Sequence, residues 1–150
     1  MLSITRTATP AAPRIADEDR PSRYTRDYYM TVDGTNPPEG MQRPGKWLVF
    51  LSRSRIDALW ASVKRAVQGG RLGHLAAVTT ALPHPSSTDP KKHVLFVYTR
   101  DADDPADVRR VRETLRQLGV SWKIPYKAGG PLGGGQHDVM AGGPAAKYYE

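Results

Sequence analysis

The apolar positions of this chain change period along its length, and the changes mark the elements. KWLVFL, residues 46 to 51, is a short apolar run bounded by turn residues, which predicts a buried strand. Immediately afterwards Ile56, Leu59, Trp60, Val63 and Val67 recur at helical spacing and predict one buried helix face. Ser54 followed by Asp57 reads as a slightly short capping pair, and Gly69-Gly70 as the stop. LAAVTTA, 75 to 81, and HVLFVYT, 93 to 99, read as two further strands. Pro105 then opens a second helix behind the carboxylates of Asp101 to Asp104. Its apolar stripe is Val108, Val111, Leu115 and Leu118. Beside it, Arg109, Arg112 and Arg116 predict a solvated basic stripe, with Arg109 paired to Glu113.

RYTRDYYMTVD, 23 to 33, reads as a strand ending at the Asp33-Gly34 turn. VSWKIPY, 120 to 126, alternates Trp122, Ile124 and Tyr126 on one face, and Pro125 predicts a place at the sheet edge. KYYE at the C-terminus reads as a short strand or as surface. The order strand, strand, helix, strand, strand, helix, strand implies an α+β fold with a mostly antiparallel sheet and helices on one face. Residues 1–22 read as a flexible arm, 23–127 as the domain, and 128–150 as a glycine-rich tail or a mobile lid.

Trp47 alternates with Val49 and Leu51, and Trp60 lies on the apolar helix face. Both indoles are therefore expected in the core between strand and helix. His93 is expected in water at a strand edge.

The chain has 150 residues, the size of one ordinary domain. It contains no cysteine, which excludes disulfides and thiolate metal sites and fits a cytoplasmic protein. No apolar run approaches the ~20 residues that span a bilayer, and the N-terminus lacks the apolar stretch of a secretory signal. The four histidines show no metal-ligand spacing, so neither a metal nor another cofactor is expected. GGPLGGG lacks the following helix that a phosphate-binding loop needs. The net charge of +7 reads either as a soluble basic surface or as attraction to phosphates on nucleotides, phosphorylated peptides or nucleic acid.

The runs GKWLVF, IDALW and HVLFVYTRD, the strand ending VTT, and the DV-containing helix ending LG resemble the basophilic-leukaemia-expressed protein family. Tyr126-Lys127 and Lys147-Tyr148 also match, so the resemblance spans residues 23 to 150. That family is related in fold to the cap-binding translation initiation factors. The resemblance implies a curved sheet with helices on its convex side and a concave face or edge for a ligand. Cap-binding factors stack a base between two tryptophans, one of them ahead of the GKW-like motif. Here that segment is GTNPPEGMQRPG, without an aromatic, and Trp47 and Trp60 match structural positions. Family members are also described as phosphothreonine lyase domains. The histidine and base lysine of such lyases fall here on Leu48 and on Ala76, Ala77 and Val78, so that chemistry would need other residues.

Three functions follow as expectations. The first is a cap-binding-like domain holding a phosphate-bearing ligand, a nucleotide or a phosphorylated metabolite. Its contacts are expected from Lys46, Arg53, Arg55, Lys91, Arg100, Lys123, Lys127 and His137. The second is a lyase or transferase acting on a phosphorylated small molecule. Lys46, Lys123 or Lys127 would be its base and Tyr98 or Tyr126 its acid. The third is a basic module that binds RNA or protein.

Overall fold

The computed structural model describes residues 16–34, 43–85, 89, 91–129 and 146–150. Most of the expected arm, the glycine-rich tail and His137 lie outside the described residues. The strands are β1 (Tyr29–Asp33), β2 (Gly45–Ser52), β3 (Leu75–Thr79), β4 (Lys92–Thr99), β5 (Pro125–Ala128) and β6 (Tyr148–Tyr149). The helices are α1 (Arg53–Gln68) and α2 (Pro105–Gln117). Among the described strands, the sheet runs β1-β3-β4-β2-β5-β6 and every pairing is antiparallel. The protein is an α+β domain, as its periodicity predicts. No described helix is long and apolar enough to cross a membrane.

Strict two-residue alternation sorts the sheet into two faces. Trp47, Val49 and Leu51 of β2, with Leu95 and Val97 of β4, pack against Ile56, Trp60, Val63 and Val67 of α1. Val108, Val111 and Leu115 of α2 join the same cluster, so both helices cover one face. Leu48, Ala77, Phe96 and Tyr98 form a separate cluster on the face without helices. Trp47 and Trp60 are both fully buried in the helix-side core. The Trp47 indole N–H donates to the Val108 carbonyl at 2.9 Å, tying β2 to the first turn of α2. Full burial of rings of this kind contributes about 2–3 kcal/mol each.

Several local expectations change. The segment from Tyr24 to Tyr28 is bent and joins residues 80 and 81 only through single bonds from Thr80 N to Tyr28 O and from Ala81 N to Tyr24 O, and the strand begins at Tyr29. The N-cap of α1 is Ser52, not Ser54, and its side chain makes no capping bond. Asp57 instead accepts from Ser22 N at 3.0 Å, Ser22 Oγ at 2.5 Å and Arg20 Nε at 3.1 Å. Residues 20–22 are thereby fastened to α1, and Lys64 pairs with Asp19 at 3.6 Å. Asp57 is held below the ordinary carboxylate pKa by its bonds to Ser22 and Arg20, which outweigh the opposing pull of burial, the largest single influence. Pro125 starts β5, where its missing N–H costs nothing. Because β6 pairs outside it, β5 is not an edge strand. Arg112 is buried rather than solvated, and Arg109 reaches Glu150 at 3.9 Å while Glu113 pairs with Arg116.

Candidate functional site

β2 enters α1 without a loop, since Ser52 is the last strand residue and Arg53 the first helical one. Ser52 lies opposite Lys92, and Arg53 N donates to Lys91 O at 3.0 Å. Backbone geometry therefore brings Arg53, Arg55, Lys91 and Lys92 together at one end of the sheet. That end also holds the N-terminus of α1, whose partial positive charge favours anions. The first turn of α1 contains no acidic residue and two arginines, the reverse of the favourable pattern. Asp57, one turn further on, is taken up by Arg20 and Ser22.

A groove of about 390 Å³ opens from this turn, within the range of small-ligand sites. Ser54, Arg55 and Leu59 line its α1 wall, and Leu118, Gly119 and Trp122 line the opposite wall. The Arg55 guanidinium stands 5.4 Å from the centroid of the Trp122 ring. Lys123, exposed, follows Trp122. Four of the expected phosphate contacts, Arg53, Arg55, Lys91 and Lys123, thus belong to one end of the strands.

The others do not. Lys46 lies six residues from Ser52 along β2, which is about 20 Å in extended chain. Lys46 is opposite Tyr98 on β4 and opposite Lys127 on β5, so these three side chains form a row on the helix-free face. Lys46 Nζ is 5.9 Å from the Tyr98 ring centroid. Lys46 and Tyr98 are buried, and Lys127 is half-buried. Arg100 is exposed beyond β4 and lies 3.9 Å from Asp104. Tyr126 is separated from this row by the sheet itself. Its ring packs edge-on against Trp47 at 5.1 Å, and its hydroxyl is 2.5 Å from Thr99 Oγ1. Burial pushes its phenol up to about 12, against the pull of the Thr99 bond. Of the expected acids, Tyr98 alone faces Lys46 and Lys127.

His93 is also placed differently from expectation. It is opposite Leu51 on the helix side and fully buried. The alternation of His93 with Leu95 and Val97 carried that information. Its Nδ1 lies 2.9 Å from the Thr79 carbonyl, which makes Nδ1 the donor, and Nε2 has no hydrogen-bond partner among the described residues. Burial pushes its pKa below the ordinary 6.5, Arg53 adds to the shift, and the Thr79 bond and Asp57 oppose it. A depressed folded value means that the unfolded chain takes up the proton first. The stability His93 contributes is therefore intact above pH 6.5 and is lost as pH falls from there through the folded value. In urea unfolding at pH 7.5 and 5.5, His93→Asn is expected to lose less stability on acidification than the parent. Equal losses would refute this. His74, shifted the same way by burial, leaves some acid sensitivity in the variant.

Among its described residues the molecule is thus an α+β domain with a six-stranded antiparallel sheet, two α-helices on one face, and cations gathered at both strand ends. Residues 39–129 match the family model described as basophilic leukemia-expressed protein Bles03, and the chain belongs to that family. It is 28% identical over 127 residues to proteins named phosphoserine aminotransferase from Rhodococcus opacus (strain B4) and Rhodococcus jostii (strain RHA1). Those alignments cover 78% of this chain and 34% of each relative, so the chain spans about a third of their length. A solved structure of Ascaris suum eIF4E-3 with m2,2,7G cap is similar at a TM-score of 0.44 and 20% identity, over 61% of this chain and 55% of that one.

Proposed function

We propose that this is a small domain binding a phosphate-bearing ligand, a nucleotide or a phosphorylated metabolite, at the α1 end of the sheet. The observation that carries the reading is the first turn of α1. Two arginines sit where the helix dipole disfavours them, with no carboxylate in that turn, beside a groove of ligand size. A phosphate there would accept from main-chain N–H groups of the turn beyond Arg53 and from the Arg53 side chain, with Arg55, Lys91 and Lys123 around it. The body of the ligand would lie in the groove against Leu59 and Trp122. The names of the two Rhodococcus relatives include a phosphorylated amino acid, which is in keeping with such a ligand.

The row Lys46, Tyr98 and Lys127 favours a second reading, elimination from a phosphorylated small molecule. One lysine would remove the α-proton, the other would hold the phosphate, and Tyr98 would serve as the acid.

One assay separates the two. Nucleotides and phosphorylated metabolites are screened by thermal shift, with release of inorganic phosphate followed in the same samples. On the first reading a ligand at a hundredfold excess over Kd adds about 2.7 kcal/mol of stability. That gain is expected to be lost in Arg55→Ala and kept in Lys127→Ala, with no phosphate released. Phosphate release that is abolished by Lys127→Ala and kept in Arg55→Ala would instead establish the second reading. If no phosphorylated compound shifts the melting curve or releases phosphate, both readings fail.

A further inference from the structure

The helix-free face of the sheet carries a feature that neither reading uses. Phe50 belongs to β2, a central strand; it pairs with Val94 of β4 and lies beyond the stretch of β2 that pairs with β5. Its neighbours on that face, Leu48, Val94 and Phe96, are at most 6% exposed, yet Phe50 is 47% exposed. A large ring left in water on a central strand is a cost the fold does not require. Tyr149 of β6 is 64% exposed. It shares this face, because its neighbour Tyr148 packs with Tyr126 in the helix-side core. Pro125, half-buried, lies between the two rings: it pairs with Tyr149, and one step past the Trp47–Tyr126 pair places it opposite Leu48. Phe50 and Tyr149 are thus two strands and one pleat repeat apart, about 12 Å.

The charges around these rings are mostly of one sign, with Asp89 in the loop beside Lys91 the nearby exception. Among the strand residues on this face, Lys46, Lys92 and Lys127 are basic, and the single carboxylate is Asp33, far off on edge strand β1. Lys92 is exposed at the upper end of the face, Lys91 is exposed next to it in the loop, and Lys123 is exposed ahead of β5. Exposed rings, spaced apart and set among lysines, match what an unpaired strand of bases requires. Every base offers a π-face to stack, and its backbone offers phosphates to the cations. A duplex hides those faces.

We propose that this face binds single-stranded nucleic acid, with Phe50 and Tyr149 stacking on two bases and Lys92, Lys123 and Lys127 following the phosphates. The two rings stand on the opposite side of the sheet from the groove; Lys123 is shared with the small-ligand reading, and the ring variants separate the two.

Fluorescence anisotropy with labelled oligo-U, oligo-dT and a duplex of equal length tests it. The single strands are expected to bind in low salt, more tightly than the duplex, and to weaken as salt rises. Phe50→Ala and Tyr149→Ala should each weaken single-strand binding about tenfold and leave duplex binding unchanged. Both side chains are substantially exposed, so the variants should melt like the parent, and Lys92→Ala gives a second variant that leaves the rings in place. Binding of either single strand supports the assignment, and the ratio of oligo-U to oligo-dT names the preferred sugar. The proposal is overturned if no oligonucleotide binds in low salt, or if duplex binds as well as single strands and the ring variants change nothing. It is also overturned if the protein is a dimer that Phe50→Ala dissociates, since the face would then be covered by a second copy.

Discussion

Arg112→Ala is expected to cost about 3–5 kcal/mol, as the loss of donors to three carbonyls and of buried packing adds up. At roughly 2–4 °C per kcal/mol for a chain of this size, the melting temperature should fall by about 10 °C. Arg112 is 1% exposed. Its Nε donates to Glu150 O at 2.9 Å, one terminal nitrogen to Val120 O at 2.9 Å, and the other to Trp122 O at 2.7 Å. The guanidinium also lies 5.9 Å from the centroid of the Trp47 ring. One side chain on α2 therefore fastens the end of the chain beyond β6 and the turn leading to β5. The rigid fork of arginine is what lets it serve three acceptors at once. Lysine keeps the charge but not the fork, so Arg112→Lys should recover less than half of the loss. Arg112→Met, which keeps much of the packing without donors, should stay close to alanine. Equilibrium urea unfolding checks all three, and a loss below about 1 kcal/mol for alanine would show that the carbonyls find other donors.

The same residue shows where sequence reading stops. The apolar stripe of α2 was legible from Val108, Val111 and Leu115, and Arg112 lies within that arc, four residues past Val108 and three before Leu115. Its charge assigned it to solvent, because nothing in the helical pattern shows that Val120 O and Trp122 O from the turn after α2, and Glu150 O from 38 residues on, converge on it. The strands and helices were legible because alternation and the helical period are local properties, and both tryptophans fell where those periods placed them. Strand order was not. The position of β5 between β2 and β6 depends on pairings with Trp47 and Tyr149 that no short window contains. The candidate site divided for the same reason. Lys46 and Arg53 are seven positions apart in the chain, but β2 is extended between them and carries them to opposite ends of the sheet. Lys46 and Lys127, far apart in the chain, are brought face to face by register.

Gly73→Ala is the second large effect expected, at about 3 kcal/mol or more, the upper range for forcing atoms into a packed site. Gly73 precedes β3. A Cβ there would collide with the carbonyl oxygen of Tyr98, closer than any side-chain carbon approaches a backbone atom. The obstacle is main chain, not the free end of a side chain, so it cannot rotate away. Tyr98 is in β4, paired with Lys46 of β2, and β4 also pairs with β3. Relief requires β3 and its entry loop to withdraw from β4, which disturbs the middle of the sheet. Gly70→Ala provides the contrast. Gly70 has φ +76° and nothing within 4 Å of the added carbon, so only backbone strain opposes alanine, about 1–2 kcal/mol. Urea unfolding of both variants should therefore rank Gly73→Ala as the more damaging, although Gly70 has the left-handed backbone that usually marks an indispensable glycine. The reverse order would mean that β4 yields at Tyr98. A shift of Tyr98 would also move the row of Lys46, Tyr98 and Lys127, so any phosphate release traced to Lys127 should fall in Gly73→Ala even at temperatures where the variant remains folded.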